Sequence, residues 1–363
     1  MNGPYRVLLG VIASAGIGAA DAQSSVVLYG LLDASVRVVD DVGGSRLVTQ
    51  GSGDQQGSRW GLRGVEDIGH GVRAVFQLES GFGVDTGTLA QGGLMWGRQA
   101  FVGLASPYGT VTAGRQYDFM VELGAFHAVQ AGTGTLDWNI GDNDRVAGQR
   151  LDNSIKYSHQ RGALGFGALY GFGERPGSAS QASGHSFMVR YSGDTVSMGA
   201  AATRVRDRSI TPFPALGIGS FLGVATLTGA GAAVQVPLSR IDNIGFGASY
   251  KISRATLLGL YTETRMHGAD RQEKLRNWHI GTRFAATPSA VLVLSLSESW
   301  LGVASWNRGA LAADYSLSKR TDLYVAAIHT EASEPAVKAV LFTVAPAAGS
   351  RQRALVAGVR HRF

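Results

Sequence analysis

Apolar and polar residues alternate with a period of two through segments of about ten residues, and turn residues separate the segments. From Val26 to Val39 the even positions Val26, Leu28, Leu32, Ala34, Val36 and Val38 are apolar, while the odd positions include Tyr29, Asp33, Ser35 and Arg37. Trp60 and Leu62 oppose Arg59 and Arg63; Val72, Ala74, Phe76 and Leu78 oppose Arg73, Gln77 and Glu79. Trp278, Ile280 and Phe284 oppose Asn277, His279 and Arg283. The pattern persists to the last residue, where Leu355, Ala357, Val359, His361 and Phe363 share a face. Such alternation suits a strand with one face in an apolar medium and the other in a polar one.

The pattern predicts strands near 26–39, 57–67, 70–82, 95–106, 108–115, 151–158, 164–173 and 184–192. A second set falls near 195–205, 243–252, 255–264, 276–286, 289–300, 304–316, 320–331 and 352–363. About sixteen strands, an even number, suit a closed antiparallel transmembrane β-barrel, because closure leaves no edge that lipid would have to solvate. A barrel of this size encloses an aqueous lumen. No segment of useful length has helical periodicity, and no domain boundary interrupts the pattern. Short connections such as Asp67-Ile68-Gly69-His70, Ser106-Pro107-Tyr108-Gly109 and Ser253-Arg254 read as periplasmic turns. Long ones near 40–56, 83–94, 116–150, 206–242 and 332–351 read as extracellular or inward-folded loops. The 206–242 loop is unusually apolar, with Phe213, Leu216, Ile218, Phe221 and Leu222. That points to packing against a neighbouring copy or inside the mouth.

Composition bounds the compartment. Arg6, the apolar run Val7 to Ala20 and Ala20-Asp21-Ala22 have the anatomy of a secretory signal peptide over 1–22, with a mature chain from Gln23. The 363 residues include no cysteine, which excludes disulfides and thiolate metal sites. No stretch after the signal is long and apolar enough for a spanning helix. A mean hydropathy of +0.05 is compatible with a barrel, since only alternate residues face lipid. The pI near 9.6 does not indicate nucleic acid, because the basic residues occur singly inside alternating segments and not in basic runs. Of the 33 basic residues 28 are Arg and five are Lys, a bias suited to fixed cationic positions along a lumen.

Several of these segments resemble the Gram-negative general diffusion porins, particularly the betaproteobacterial type. They are Gln23 to Gly30 (QSSVVLYG), Gly57 to Asp67 (GSRWGLRGVED), Gly97 to Leu104 (GRQAFVGL), Gly114-Arg115-Gln116-Tyr117, Asp152 to Tyr157 (DNSIKY) and the closing Gly358 to Phe363 (GVRHRF). Their order and spacing cover the whole mature chain. The resemblance implies an outer-membrane barrel of sixteen strands, usually a homotrimer, over 23–363. It also implies a third long loop, 116–150, that folds into the lumen and narrows it. Carried over by motif, Arg59 and Arg98 are wall arginines of the constriction, and Arg145 or Arg150 supplies a third positive charge. Arg37, Arg63 and Arg73 share lumen parity and extend the ladder. The family's usual acidic loop element is missing; Asp118, Glu122, Asp137, Asp142 and Asp144 are the candidates to face the arginines. Leu31, often basic in related porins, is apolar here. The resemblance also implies that the terminal Phe363 serves as a signal to the barrel-assembly machinery.

The expected activity is passive diffusion of small hydrophilic solutes and ions, with a preference for anions. The partners expected are outer-membrane lipid, two further copies of the chain and those solutes, with no nucleic acid and no cofactor. The alternatives are a substrate-specific channel and an outer-membrane enzyme. Against the enzyme, the eight histidines fall in no G-x-S-x-G, H-E-x-x-H or helical i, i+4 pattern. His279 has lumen parity and reads as a solvated wall residue. Asp142-Asn143-Asp144 lacks the further ligands that a calcium loop needs.

Overall fold

The computed structural model describes residues 25–210, 216–226, 234–333 and 337–363. The signal segment 1–22, the mature start at Gln23 and Phe213 lie outside the described residues. The strands are β1 (Ser25–Val42), β2 (Ser45–Ser52), β3 (Arg59–Gly69), β4 (Val72–Gly81), β5 (Gln99–Ser106) and β6 (Gly109–Tyr117). There follow β7 (Arg150–Arg161), β8 (Leu164–Gly171), β9 (Gly184–Ser192), β10 (Val196–Ile210), the short pair β11 (Ser220–Phe221) and β12 (Val224–Ala225), and β13 (Val236–Ile252). The last are β14 (Ala255–His267), β15 (Gln272–Ala285), β16 (Ala290–Leu301), β17 (Ala304–Ser316), β18 (Thr321–Ala332) and β19 (Arg351–Arg362). All but β11 and β12 form one antiparallel sheet, and β1 pairs with β19 from Leu31 opposite Arg362 to Val39 opposite Ala354, which closes it. Because β2 and β3 lie end to end along β1, they occupy one strand position, and the barrel counts sixteen.

That broken strand corrects the expected loop at 40–56. The chain turns at Gly43-Gly44, both with positive φ, and returns at once as β2. Residues 53–58 then leave the wall: Ala34 is opposite Ser52 and Leu31 is opposite Arg59, so six residues stand against two. Asp33 organises the excursion. Its carboxylate accepts the N–H groups of Gln55 (2.9 Å) and Gln56 (2.7 Å), and its carbonyl accepts Gly53 N–H at 3.0 Å. An oversized bulge of this kind re-aims a strand into the lumen.

The alternation sets the two faces as read from the sequence. Val26, Leu28, Val36, Phe246, Ile280, Leu294, Leu355 and Val359 are exposed on the outside, while Asp33, Ser35, Thr203, Asn243, Asn277 and Ser295 are buried inside. Phe363 completes the outer face beyond β19. Its backbone exchanges hydrogen bonds with Gly30 of β1 (3.0 and 3.1 Å), and its ring lies over that glycine, where a Cβ would come within 2.3 Å of Cζ. Gly30 is therefore required by the closing aromatic.

Between β6 and β7 the third loop, 118–149, runs as short 3₁₀ and π turns and lies against inward faces of the far wall. Glycines make the seat. A Cβ at Gly167 (β8) would meet the Phe119 ring at 2.2 Å, one at Gly247 (β13) the Phe126 ring at 2.2 Å, and one at Gly245 (β13) would meet Leu123 at 2.5 Å. Phe119, Met120, Leu123 and Phe126 are buried there with Leu260 and Met188. The structure shortens the expected 206–242 loop, because 206–210 and 236–242 belong to β10 and β13; the described stretch between them, 216–226, packs inside the mouth. Leu216, Phe221 and Leu222 are buried with Leu238, Met266, Leu275 and Trp306 and with Ile140 of the third loop.

Candidate functional site

Lumen parity on β3 and β4 brings Arg59 beside Glu79, and the residue before β5, Arg98, joins them. Arg98 Nε donates to Glu79 Oε1 at 2.8 Å, and Arg59 Nε lies 3.8 Å from Oε2. Tyr29 Oη donates to the same carboxylate at 2.9 Å, and Gln77 Nε2 donates to Tyr29 Oη at 2.7 Å. Arg150, at the start of β7, donates through Nε to the Arg98 carbonyl at 3.3 Å and stacks 4.2 Å over the Tyr117 ring. Its Nη1 donates to the Gly148 carbonyl at 2.7 Å. Two guanidinium groups thus meet one carboxylate and a third stands beside them, with Arg59 also held by the Gly57 carbonyl and Arg150 by two carbonyls and an aromatic face. Planar, fixed Arg forks suit such a cluster better than mobile ammonium groups would.

Of the two residues expected to supply the third charge, Arg150 stands with Arg59 and Arg98. Arg145 does not: its Nε and Nη2 both lie 2.5 Å from Asp118 Oδ2 at the base of the loop. Arg37 pairs with Asp54 of the inward excursion at 3.4 Å. Arg63 is exposed, with its guanidinium 5.3 Å from the Tyr29 ring centre. Arg73 is exposed near the short-turn end, opposite Asp67.

The acidic residues of the loop do not take the place expected for them. None of Asp118, Glu122, Asp137, Asp142 and Asp144 forms an ion pair with Arg59, Arg98 or Arg150 among the described residues. Asp118 caps the loop's first turn by accepting Met120 N–H at 2.9 Å and holds Arg145. Glu122 pairs with Arg190 of β9 at 3.2 Å. Asp144 accepts from Asn139 Nδ2 (2.6 Å), Thr262 Oγ1 (2.8 Å) and Asn277 Nδ2 (3.2 Å), which fastens the loop to β14 and β15. Asp142 accepts Ala147 N–H and Gln149 Nε2, both at 2.7 Å. Asp137 accepts Thr133 Oγ1 at 2.7 Å, and buried Arg308 of β17 donates Nη1 to the carbonyls of Asp137 (3.0 Å) and Trp138 (2.7 Å). Burial pushes the carboxyls of Asp137 and Asp144 up, and burial with the neighbouring Asp144 charge pushes Asp142 up to about 7. Asp144 and Glu122 fasten the loop to the wall, while Asp118 and Asp142 brace the loop internally. Their sequence positions gave no parity to read, because the loop has no strand period.

His279 is likewise not solvated. It is 2 % exposed, and its ring stacks 3.9 Å from that of His127 in the loop. His127, Asp137 and His279 each bring a possible metal-ligand atom within 4.8 Å of the others. The ring tautomers oppose ligation. Val129 N–H donates to His127 Nδ1 and Ala128 N–H donates to His279 Nε2, both at 3.2 Å, so the remaining nitrogen of each ring carries a proton. Those nitrogens, His127 Nε2 and His279 Nδ1, have no hydrogen-bond partner, and burial, with His279 and Arg308 close by, keeps His127 well below the usual imidazole range.

Glu79 is the residue that sequence reasoning left out. The signal was present: it shares lumen parity with Arg73 and Gln77, and the β3–β4 register puts Gly81 and Glu79 opposite Arg59 and Gly61.

The known proteins agree with this architecture. The chain is 29 % identical to outer membrane porin protein 32 of Delftia acidovorans, over 99 % of both chains. It is 37 % identical to an outer membrane porin protein of Bordetella pertussis over 46 % of this chain, a match that spans 48 % of that protein's length. The fold matches the anion-selective porin from Comamonas acidovorans with a TM-score of 0.76 at 24 % identity, covering 94 % of this chain and 100 % of that one. The profile of the Gram-negative porin family matches residues 9–334, and with the closed sixteen-stranded barrel it identifies the chain as a Gram-negative porin, a diffusion channel of the outer membrane.

Proposed function

We propose that this porin passes small hydrophilic solutes and prefers anions, and that Arg59, Arg98 and Arg150 form the selective wall. One observation carries the reading: Arg59 and Arg98 share the single carboxylate of Glu79, Arg150 stands beside them on the Arg98 carbonyl with no carboxylate partner among the described residues, and the acids of the loop are engaged elsewhere. In a narrow lumen such an excess of fixed positive charge acts over the whole width, because screening over about 8–10 Å in physiological salt is incomplete there. Arg37, Arg63 and Arg73 extend the field toward the two mouths. No reaction takes place; solutes move down their gradients. Residues 1–22 serve export, 23–363 form the single barrel domain with 116–150 as its constriction loop, and three copies assemble. Phe363 acts as the assembly signal, a role supported by its place at the closing seam.

The test is a reversal potential across a planar bilayer in a salt gradient. Replacing Arg59 and Arg98 together with Gln is expected to lower the anion-to-cation permeability ratio at least about fivefold. An unchanged reversal potential would sink the assignment.

A further inference from the structure

Residues 53–58 leave the wall between β2 and β3, and their backbone groups show what holds them. The N–H groups of Gly53, Gln55 and Gln56 all return to Asp33, to its carbonyl or its carboxylate. The carbonyls go elsewhere. Gly53 O accepts Thr135 Oγ1 at 2.7 Å, and Asp54 O accepts Thr135 N–H at 2.5 Å, both from the tip of the third loop. Gly57 O accepts Arg59 Nη1 at 3.1 Å. A buried backbone group must find a partner or cost free energy. The excursion therefore finds its partners in the loop tip at one end and in a wall arginine at the other, four residues apart.

Glycines record how closely these parts meet. Buried Gln55 lies against two glycines of the loop tip: a Cβ at Gly132 would come within 3.5 Å of its Nε2, and one at Gly134 within 3.4 Å of its Oε1. A Cβ at Gly134 would also stand 2.6 Å from the Asp54 carbonyl oxygen, at a backbone φ of +88°, so both space and conformation call for glycine there. On the other side Arg98 lies over Gly57 and Gly81. A Cβ at Gly57 would be 3.4 Å from its Nη1, and one at Gly81 would be 3.2 Å from its Cδ. Gln55 Nε2 also reaches Asp314 of β17 across the closing seam, at 3.4 Å. A bulge that only bends a strand needs one extra residue. Here six residues stand where two would fit.

We propose that the 53–58 excursion is the fixed rim of the constriction. It stops the tip of the third loop, which sets the width of the gap, and it holds the guanidinium groups of Arg59 and Arg98 at that edge. Asp33, Gln55 and Gly57 are its positioning residues: Asp33 ties the excursion to β1, Gln55 meets the loop tip, and Gly57 seats both arginines. For selectivity the rim rests on the proposed role of Arg59 and Arg98; for width it does not.

The test is made on the full-length porin in planar bilayers, with folding of each variant checked by heat-dependent migration in detergent gels. Deleting Asp54 to Gly57 leaves Gly53 and Ser58 opposite Asp33 and Leu32, a regular strand of unchanged parity with Arg59 still facing the lumen. Single-channel conductance should rise about twofold and the anion-to-cation permeability ratio should fall about threefold, although no arginine is removed. Gly57→Val keeps the length of the rim and crowds the Arg98 guanidinium, so the ratio should fall about twofold with conductance near that of wild type. Thr135→Val, nearly isosteric, loses the bond to the Gly53 carbonyl and should raise current noise with the ratio unchanged. A folded deletion variant with wild-type conductance and ratio, whatever its stability, would give the excursion a structural role only and overturn the proposal. Should the deletion variant not fold, Gly57→Val and Thr135→Val decide. An unchanged ratio in Gly57→Val, where Arg59→Gln with Arg98→Gln lowers it, would overturn the proposal and leave the selectivity assignment standing. An unchanged ratio in the arginine variant itself sinks that assignment, and the conductance of the deletion variant and the noise of Thr135→Val then decide the rim alone.

Discussion

The two sides of the lumen use the same residue types in opposite ways. On the side of β3, β4 and β7, Arg59, Arg98 and Arg150 are partly exposed, and Glu79 offsets only part of their charge. On the side of β14 to β17, Arg308 and His279 of the wall are buried beneath the third loop with the loop's own Asp137 and Asp144, and their hydrogen bonds join loop to wall. The difference is solvent. A charge left in water keeps a long-range field at little local cost, whereas a buried one must be matched by neighbours and contributes position, not field. A porin needs both, a field on one wall and a fixed gap to the other.

The sharpest way to break this contrast is to remove a buried partner. Arg308→Met leaves the carbonyls of Asp137 and Trp138 without their donor and the Asp137 carboxylate without its nearest cation. The expected loss is about 3–5 kcal/mol of loop seating. It should appear as rapid current fluctuation in single channels and as protease cleavage within 118–149. A quiet channel with an uncut loop would show that the apolar seat alone holds it.

The opposite wall predicts a smaller and different effect. Glu79→Gln removes the carboxylate shared by Arg59 and Arg98 without touching the far side. A unit charge at about 8 Å through water is worth ~0.5 kcal/mol, of opposite sign for anions and cations. The anion-to-cation ratio should therefore rise about fivefold, with conductance noise unchanged. A fall in the ratio would mean that Glu79 positions the arginines more than it neutralises them.

The contrast also marks what could be read from the sequence. Wherever the chain is a strand, its period of two told inside from outside: Arg59, Arg63 and Glu79 on one face, Trp60, Phe76 and Leu78 on the other. The sixteen wall positions follow from that period, and so does the closing strand at Phe363. Where the period stops, the reading stops. Gly51-Ser52-Gly53-Asp54-Gln55-Gln56-Gly57 looks like a loop, yet half of 40–56 is β2, because a two-glycine turn needs so few residues to reverse the chain. The loop acids share a composition with surface acids, and Asp137 and Asp144 are buried only because distant segments, β14, β15 and β17, meet the loop there. Leu216, Phe221 and Leu222 announced a buried partner without naming it; it is the mouth itself.

The smallest predicted effect probes the seat through pH. Asp142 is pushed up to about 7, mainly by burial and then by Asp144, and an unfolded carboxyl titrates near about 3.9. Between about pH 4 and 7 the seated loop holds a proton that the released loop gives up, so seating weakens as pH rises through this window and is level above it. His127 acts in the other direction. Its ring stays neutral in the folded state, and a released ring takes a proton below about 6.5, so seating weakens as pH falls below that value. Asp142→Asn imitates the protonated form, with the Gln149 amide able to turn and accept from it. The substitution should stabilise the loop at pH 8 and leave it nearly unchanged at pH 4, shrinking the difference in unfolding temperature between the two by a few degrees, or about 1 kcal/mol. Equal shifts at both pH values would assign the effect to packing and not to the proton, and the buried wall would then be a wall of hydrogen bonds alone.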